Sequence, residues 1–171
     1  MNVDDVLIES FDRLPDLVRT AVAGLDAEQL RWAPVPGANS VGWLVWHLTR
    51  VQDHHVAALL DAGQVWAGPG WAGRFGLDPD PRNTGYGHSA VQVAAVRPAS
   101  AQVLLDYYDA VHARTVDFLR GLSPAQLDRV VDERWDPPVT LGVRLVSIVN
   151  DDTQHVGQAA YVRGLLGRTR R

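Results

Sequence analysis

A chain of 171 residues, 46% hydrophobic and 21% charged, has the length and make-up of a globular domain that buries its own core without covalent staples. Its formal net charge of −4 argues against a nucleic-acid-binding surface, which needs clustered positive charge. It has no cysteine, and all 16 basic residues are arginine. Disulfides, thiolate metal sites, cysteine nucleophiles, Schiff-base lysines and Walker-type phosphate loops are therefore excluded.

The chain opens on acidic residues (Asp4, Asp5, Glu9, Asp12), unlike a secretory signal. No apolar run approaches the ~20 residues of a spanning helix, so no membrane is expected and the expected compartment is the cytoplasm. Steps of three and four between Val6, Leu7, Phe11, Leu14, Leu17, Val18 and Val22 predict a helix over 3–23, with Pro15 as a kink or a late start and Gly24 as its end. Asp26, three residues before Gln29, reads as the capping box of a short helix. Pro34, Pro36 and Gly37 break the chain, and Asn39 and Ser40 are caps for a second long helix over 40–60. Its apolar stripe (Val41, Leu44, Leu48, Val51, Ala58, Leu59) includes His47.

Residues 63–100 are rich in Gly and Pro and keep no period, so they read as a long loop. Trp66, Trp71, Phe75 and Tyr86 within it suggest a loop that packs down, since a disordered linker has few aromatics. A third helix is predicted over 100–120 from Val103, Leu104, Tyr107, Tyr108, Val111, Thr115, Phe118 and Leu119. The segment Gly121-Leu122-Ser123-Pro124-Ala125-Gln126-Leu127 then repeats the Gly-Leu-x-x-x-Gln-Leu pattern of Gly24 to Leu30. Each copy ends a helix and leads through prolines into another long helix, a weak internal repeat of helix, cap helix, helix. The last helix, over 141–166, carries Leu145, Ile148, Ala159, Val162 and Leu166. Strand signals are confined to 91–93 and 130–131. The expected architecture is an all-α four-helix bundle with short cap helices and one long loop, a single domain over 1–171.

Polar residues inside the two core stripes carry the chemistry. His47 lies in the second long helix, and Asp151, Asp152 and His155 lie in the last one. Burying carboxylates there is costly unless they are paired or bind a metal. An acid three or four residues before a His shares its helix face, roughly 5–6 Å away at Cβ, so spacing does not separate Asp151 from Asp152. The repeat places His47 and His155 in equivalent helices that would lie side by side, bringing three ligands to one ion. A plain hydrogen-bonded core histidine is the competing reading of His47, and a solvated acid–histidine pair that of helix four. His54, about 10 Å along the axis from His47, is too far for the same ion and is a pocket candidate or a partly exposed histidine. His112, beside Tyr108 and Thr115, and His88, in the long loop, are further pocket candidates, with core and plain loop roles as alternatives. Trp43, and Trp46 with it, is a candidate pocket wall. Asp53 and His55 are expected to face solvent.

Trp46-His47-Leu48-Thr49-Arg50 and Asp151-Asp152-Thr153-Gln154-His155-Val156-Gly157-Gln158, with the loop from Phe75 to His88, resemble the DinB-like superfamily over nearly the whole chain. They are most similar to an actinobacterial branch related to mycothiol-dependent S-transferases and maleylpyruvate isomerases. The resemblance implies a four-helix bundle, often homodimeric, that holds a zinc- or nickel-like divalent ion. It places the ligands on His47, Asp151 and His155, and selects Asp151 over Asp152. The first member of the helix-four pair is often His or Glu in the family; here it is the shorter Asp. The second domain of the maleylpyruvate isomerases is missing from this chain, so a different substrate is expected. The function this implies is transfer of a small-molecule thiol, mycothiol, to a small electrophile. Two alternatives are a metal-dependent hydrolase of small amides or esters, and a non-enzymatic metal-binding stress-associated protein.

Overall fold

The computed structural model describes residues 2–169, and side chains of residues 2–167. The first long segment is two helices, α1 (Val3–Asp12) and α2 (Leu14–Val22). Pro15 stands in the first turn of α2, where its missing N–H costs nothing, and the single turn residue Arg13 separates the two helices. The cap helix α3 (Ala27–Arg31) starts as expected: Gln29 N donates to Asp26 Oδ1 at 2.8 Å, and Asp26 N donates to Gln29 Oε1 at 2.9 Å. Helix α4 (Val41–Leu59) begins on Ser40, whose hydroxyl accepts from Trp43 N.

The long loop is less irregular than its composition suggests. It holds two 3-10 turns (Val65–Ala67 and Ala72–Phe75) and a short helix, α5 (Ala90–Ala95). The possible strand at 91–93 is thus corrected: Ser89 and Gln92 close a capping box, and that local cap outweighs three residues of alternation. Helix α6 (Ala101–Leu119) follows, then a 3-10 turn (Pro124–Asp128) with its own capping box from Ser123 to Gln126. Strand β1 (Val130–Asp132) pairs antiparallel with β2 (Val139–Thr140), a two-stranded ribbon in front of α7 (Leu141–Thr169).

Helices α4 and α7 pack together more extensively than any other pair; α2 against α7 and α4 against α6 come next. His47 meets His155 while His55 shares a cavity with Arg144, so the two helices run in opposite directions. Every residue from Val41 to Arg50 is buried, which makes α4 the central helix. A helix covered on all sides needs more than three neighbours in a bundle, and here the long loop supplies the last face.

That loop is held by an ion pair at the heart of the molecule. Arg50 and Asp53, one turn apart on α4, are 0% and 1% exposed, with Nη1 3.3 Å from Oδ2. Asp53 accepts the backbone N–H of Val65 and Trp66 and the hydroxyl of Tyr107. Arg50 donates to the carbonyls of Pro81 and Asn83 and to Gln64 Oε1, and its guanidinium lies 4.9 Å from the Trp66 ring. Trp66 in turn packs on Trp46, Phe75 and Tyr107. The solvent-facing position expected for Asp53 is therefore wrong. Its charge is matched by Arg50 and by loop N–H groups, which makes full burial tolerable.

Candidate metal centre

His47 projects from the middle of α4, and Asp151 and His155 project from successive turns of α7. One ligand atom from each of the three lies within 4.8 Å of the other two. The His47 and His155 rings meet edge to face at 4.7 Å between centroids, and His155 Nε2 is 3.6 Å from Asp151 Oδ1. Spacing left Asp151 and Asp152 equivalent; the bundle separates them. Asp151 faces the histidines, whereas Asp152 is 0% exposed in the core and neither of its oxygens has a hydrogen-bond partner. Burial first, and then the neighbouring charge of Asp151, push the Asp152 carboxyl well above the usual carboxylate range.

Each imidazole is oriented through its other nitrogen. His47 Nδ1–H donates to the carbonyl of Thr84, and His155 Nδ1–H donates to Gln158 Oε1 at 3.0 Å. Both acceptors require a protonated Nδ1, so in the neutral ring the lone pair sits on Nε2. This is the orientation that metal-ligating histidines take from their outer partners. Asp151 Oδ2 is buried and has no hydrogen-bond partner. Two imidazole nitrogens and an orphaned carboxylate oxygen thus suit a divalent cation such as zinc, nickel or ferrous iron. Burial lowers the affinity of His47 for a proton, while Asp151 raises that of His155.

The loop covers this cluster. The Trp43 ring stacks on His47 at 4.6 Å and 14°. His88 sits above Trp46 at 5.7 Å; its Nδ1 accepts from Trp43 Nε1 and its Nε2–H donates to Asn83 Oδ1. It is a brace of the covering loop, with both nitrogens engaged. Gly85, at φ +93°, lets the loop touch the site: a Cβ there would lie 2.7 Å from His47 Nδ1 and 2.9 Å from Trp46. His112 is turned elsewhere, pairing with Asp12 at 2.9 Å and stacking on Tyr108. His54 and His55 line a separate cavity, and His55 is half-buried where solvent exposure was expected. Burial, with Arg144 adding to it, pushes the His55 imidazole down to about 4.

Several residues of the site escape a reading of the chain alone. Arg50 and Asp53 carry a signal, two opposite charges at i and i+3 in an apolar helix. Gln158 lies inside the resembling segment, three residues after His155. Thr84 acts through a backbone carbonyl and leaves no side-chain signature at all.

The sequence profile of the DinB superfamily matches residues 10–159. A solved structure of similar fold, the crystal structure of a conserved protein from Enterococcus faecalis, is 34% identical over 97% of this chain and 98% of that one, with a TM-score of 0.89. No curated protein matches the chain. A match of this breadth in sequence and in backbone makes the chain a member of the DinB superfamily.

Proposed function

We propose that this chain is a divalent-metal-dependent enzyme that transfers a small-molecule thiol to small electrophiles, with mycothiol as the thiol of the actinobacterial branch it resembles. The observation that carries the reading is the cluster of His47, Asp151 and His155, one ligand atom from each lying within 4.8 Å of the others, with Nδ1 of both imidazoles held by outer partners. When bound, a divalent cation supplies the charge that keeps a small thiol in its reactive thiolate form. Three protein donors are one fewer than a structural zinc site uses, which favours a reactive centre over a purely structural ion. The chain has no cysteine, so the sulfur comes from a small molecule. Thr84 and Gln158 accept the Nδ1–H of His47 and His155, and in the neutral rings that fixes the tautomer whose Nε2 carries the lone pair. Trp43, stacked on His47, and the loop around Gly85 shield that side of the cluster from water. A hydrolase would need a base beside the cluster to activate water. His88 has both nitrogens engaged and Asp152 is fully buried in the core, so neither fills that role.

Metal analysis of the purified chain and mycothiol consumption with an electrophilic dye test the proposal. One divalent ion per chain is expected. His47→Ala and His155→Ala are expected to lose the ion and to slow conjugation by at least about 100-fold, the upper end of effects seen when metal sites are perturbed. A protein with no affinity for divalent ions, or variants that conjugate as fast as the parent, would overturn it. Ester cleavage independent of added thiol would replace it with the hydrolase reading.

A further inference from the structure

Further along the α4–α7 seam lies a second concave site. His54 follows His47 by seven residues and Arg144 precedes Asp151 by seven. Because the helices are antiparallel, both steps lead in the same direction, about 10 Å along the seam, and stay on the face that carries the cluster. There a cavity of about 400 Å³ is lined by His54, His55, Arg129, Asp132, Arg134 and Arg144, with apolar side chains from α4 and β1 completing its walls.

The charges in this cavity do not balance: three guanidinium groups face one carboxylate. Asp132 accepts from Nε and Nη2 of Arg134 and from Nη2 of Arg144, each at 2.9 Å. That is the only side-chain hydrogen bond of Arg144, whose side chain is just 18% exposed, so most of its N–H donors remain unmatched among the described residues. Arg129, at the exposed rim, has no side-chain hydrogen bond or ion pair among the described residues, and neither ring nitrogen of His55 has a hydrogen-bond partner among them. Guanidinium groups with spare donors, gathered in a concave site with a neutral imidazole, match the planar oxygens of a carboxylate or the oxygens of a phosphate group. Asp132 itself shows Arg134 and Arg144 gripping a carboxylate.

We propose that this cavity is an oxyanion subsite that takes the carboxylate or phosphate group of a substrate reacting at the His47–Asp151–His155 cluster. The substrate class that follows is a small molecule whose carboxylate or phosphate group is remote from its reacting atom. The link to a reacting atom rests on the reading of the cluster as a metal centre; oxyanion binding in the cavity does not.

The test is an NMR titration of the full-length chain, following the His55 ring resonances, with sodium phosphate and separately with sodium succinate at constant ionic strength. Saturable shifts are expected with at least one of the two, and the tighter of them identifies the source of the oxyanion. Arg129→Gln and Arg144→Gln are each expected to weaken binding about tenfold, the effect of one charge-assisted hydrogen bond. Arg129→Gln is the safer of the two for folding, because that exposed side chain makes no hydrogen bond or ion pair among the described residues. His47→Ala is expected to bind the anion as the parent does, so a failure of the metal reading leaves this result standing. No saturable shift at His55, or an affinity equal to the parent's in both arginine variants, would overturn the subsite. In thiol conjugation, Arg129→Gln is expected to raise KM for a carboxylate-bearing electrophile far more than for its methyl ester. Equal changes for acid and ester would detach the cavity from the reaction.

Discussion

Gly85 shows how much of the candidate centre depends on one missing side chain. At φ +93° it occupies backbone space that other residues enter only with strain, and a methyl group there would press on both His47 and Trp46. Gly85→Ala is expected to cost about 2 kcal/mol of stability and to lift the loop from α4. The Thr84 carbonyl would then leave His47 Nδ1, freeing the ring to take the wrong tautomer. Divalent-ion affinity, measured by titration against a chelating indicator, should fall about tenfold or more, as it does when an outer partner of a ligand is lost. Gly87→Ala, at another positive-φ glycine of the same loop but with open space around it, is the control: similar backbone strain, unchanged metal affinity.

Among the elements, the loop before α6 behaves as part of the core. It is anchored by Arg50 and Asp53, whose buried charges satisfy loop carbonyls and loop N–H groups at once. Breaking one side of such a pair strands the other charge in a low-dielectric interior. Asp53→Ala or Arg50→Ala is each expected to lower unfolding free energy by about 3–5 kcal/mol in denaturant titrations. The double variant, Arg50→Met with Asp53→Leu, is expected to cost less than the sum of the two single losses, because no stranded charge is left. Additive losses would show that the two residues act separately.

Over the whole molecule, the buried histidines link stability to acidity, and His55 gives the clearest case. Its imidazole is held at about 4 in the fold against an ordinary value of 6.5. Between those values the unfolded chain binds a proton that the folded chain does not. The stability His55 allows is therefore complete above pH 6.5 and is lost as pH falls toward 4. His55→Gln should unfold less readily than the parent on acidification, with the difference growing by roughly 1 kcal/mol per pH unit below 6.5. Thermal unfolding of both proteins between pH 7 and pH 4.5 measures it; parallel curves would mean that His55 titrates normally.

Helix periods, caps and breakers are local, and so the long helices, the Asp26–Gln29 box, the break near Pro15 and the bundle architecture were readable from residue order. The pairing of His47 with His155 was readable too, because the internal repeat put them in equivalent helices. Position along a helix does not reveal which of two adjacent carboxylates meets a neighbouring helix, and Asp151 parts from Asp152 only when α7 is seated against α4. The same holds for Asp53, whose polar character pointed to solvent until the loop supplied its N–H partners. His54, Arg129 and Arg144 come from three separate stretches, and no linear pattern announces that they line one cavity. Burial and charge matching depend on partners remote along the chain, and those partners exist only once the helices have packed.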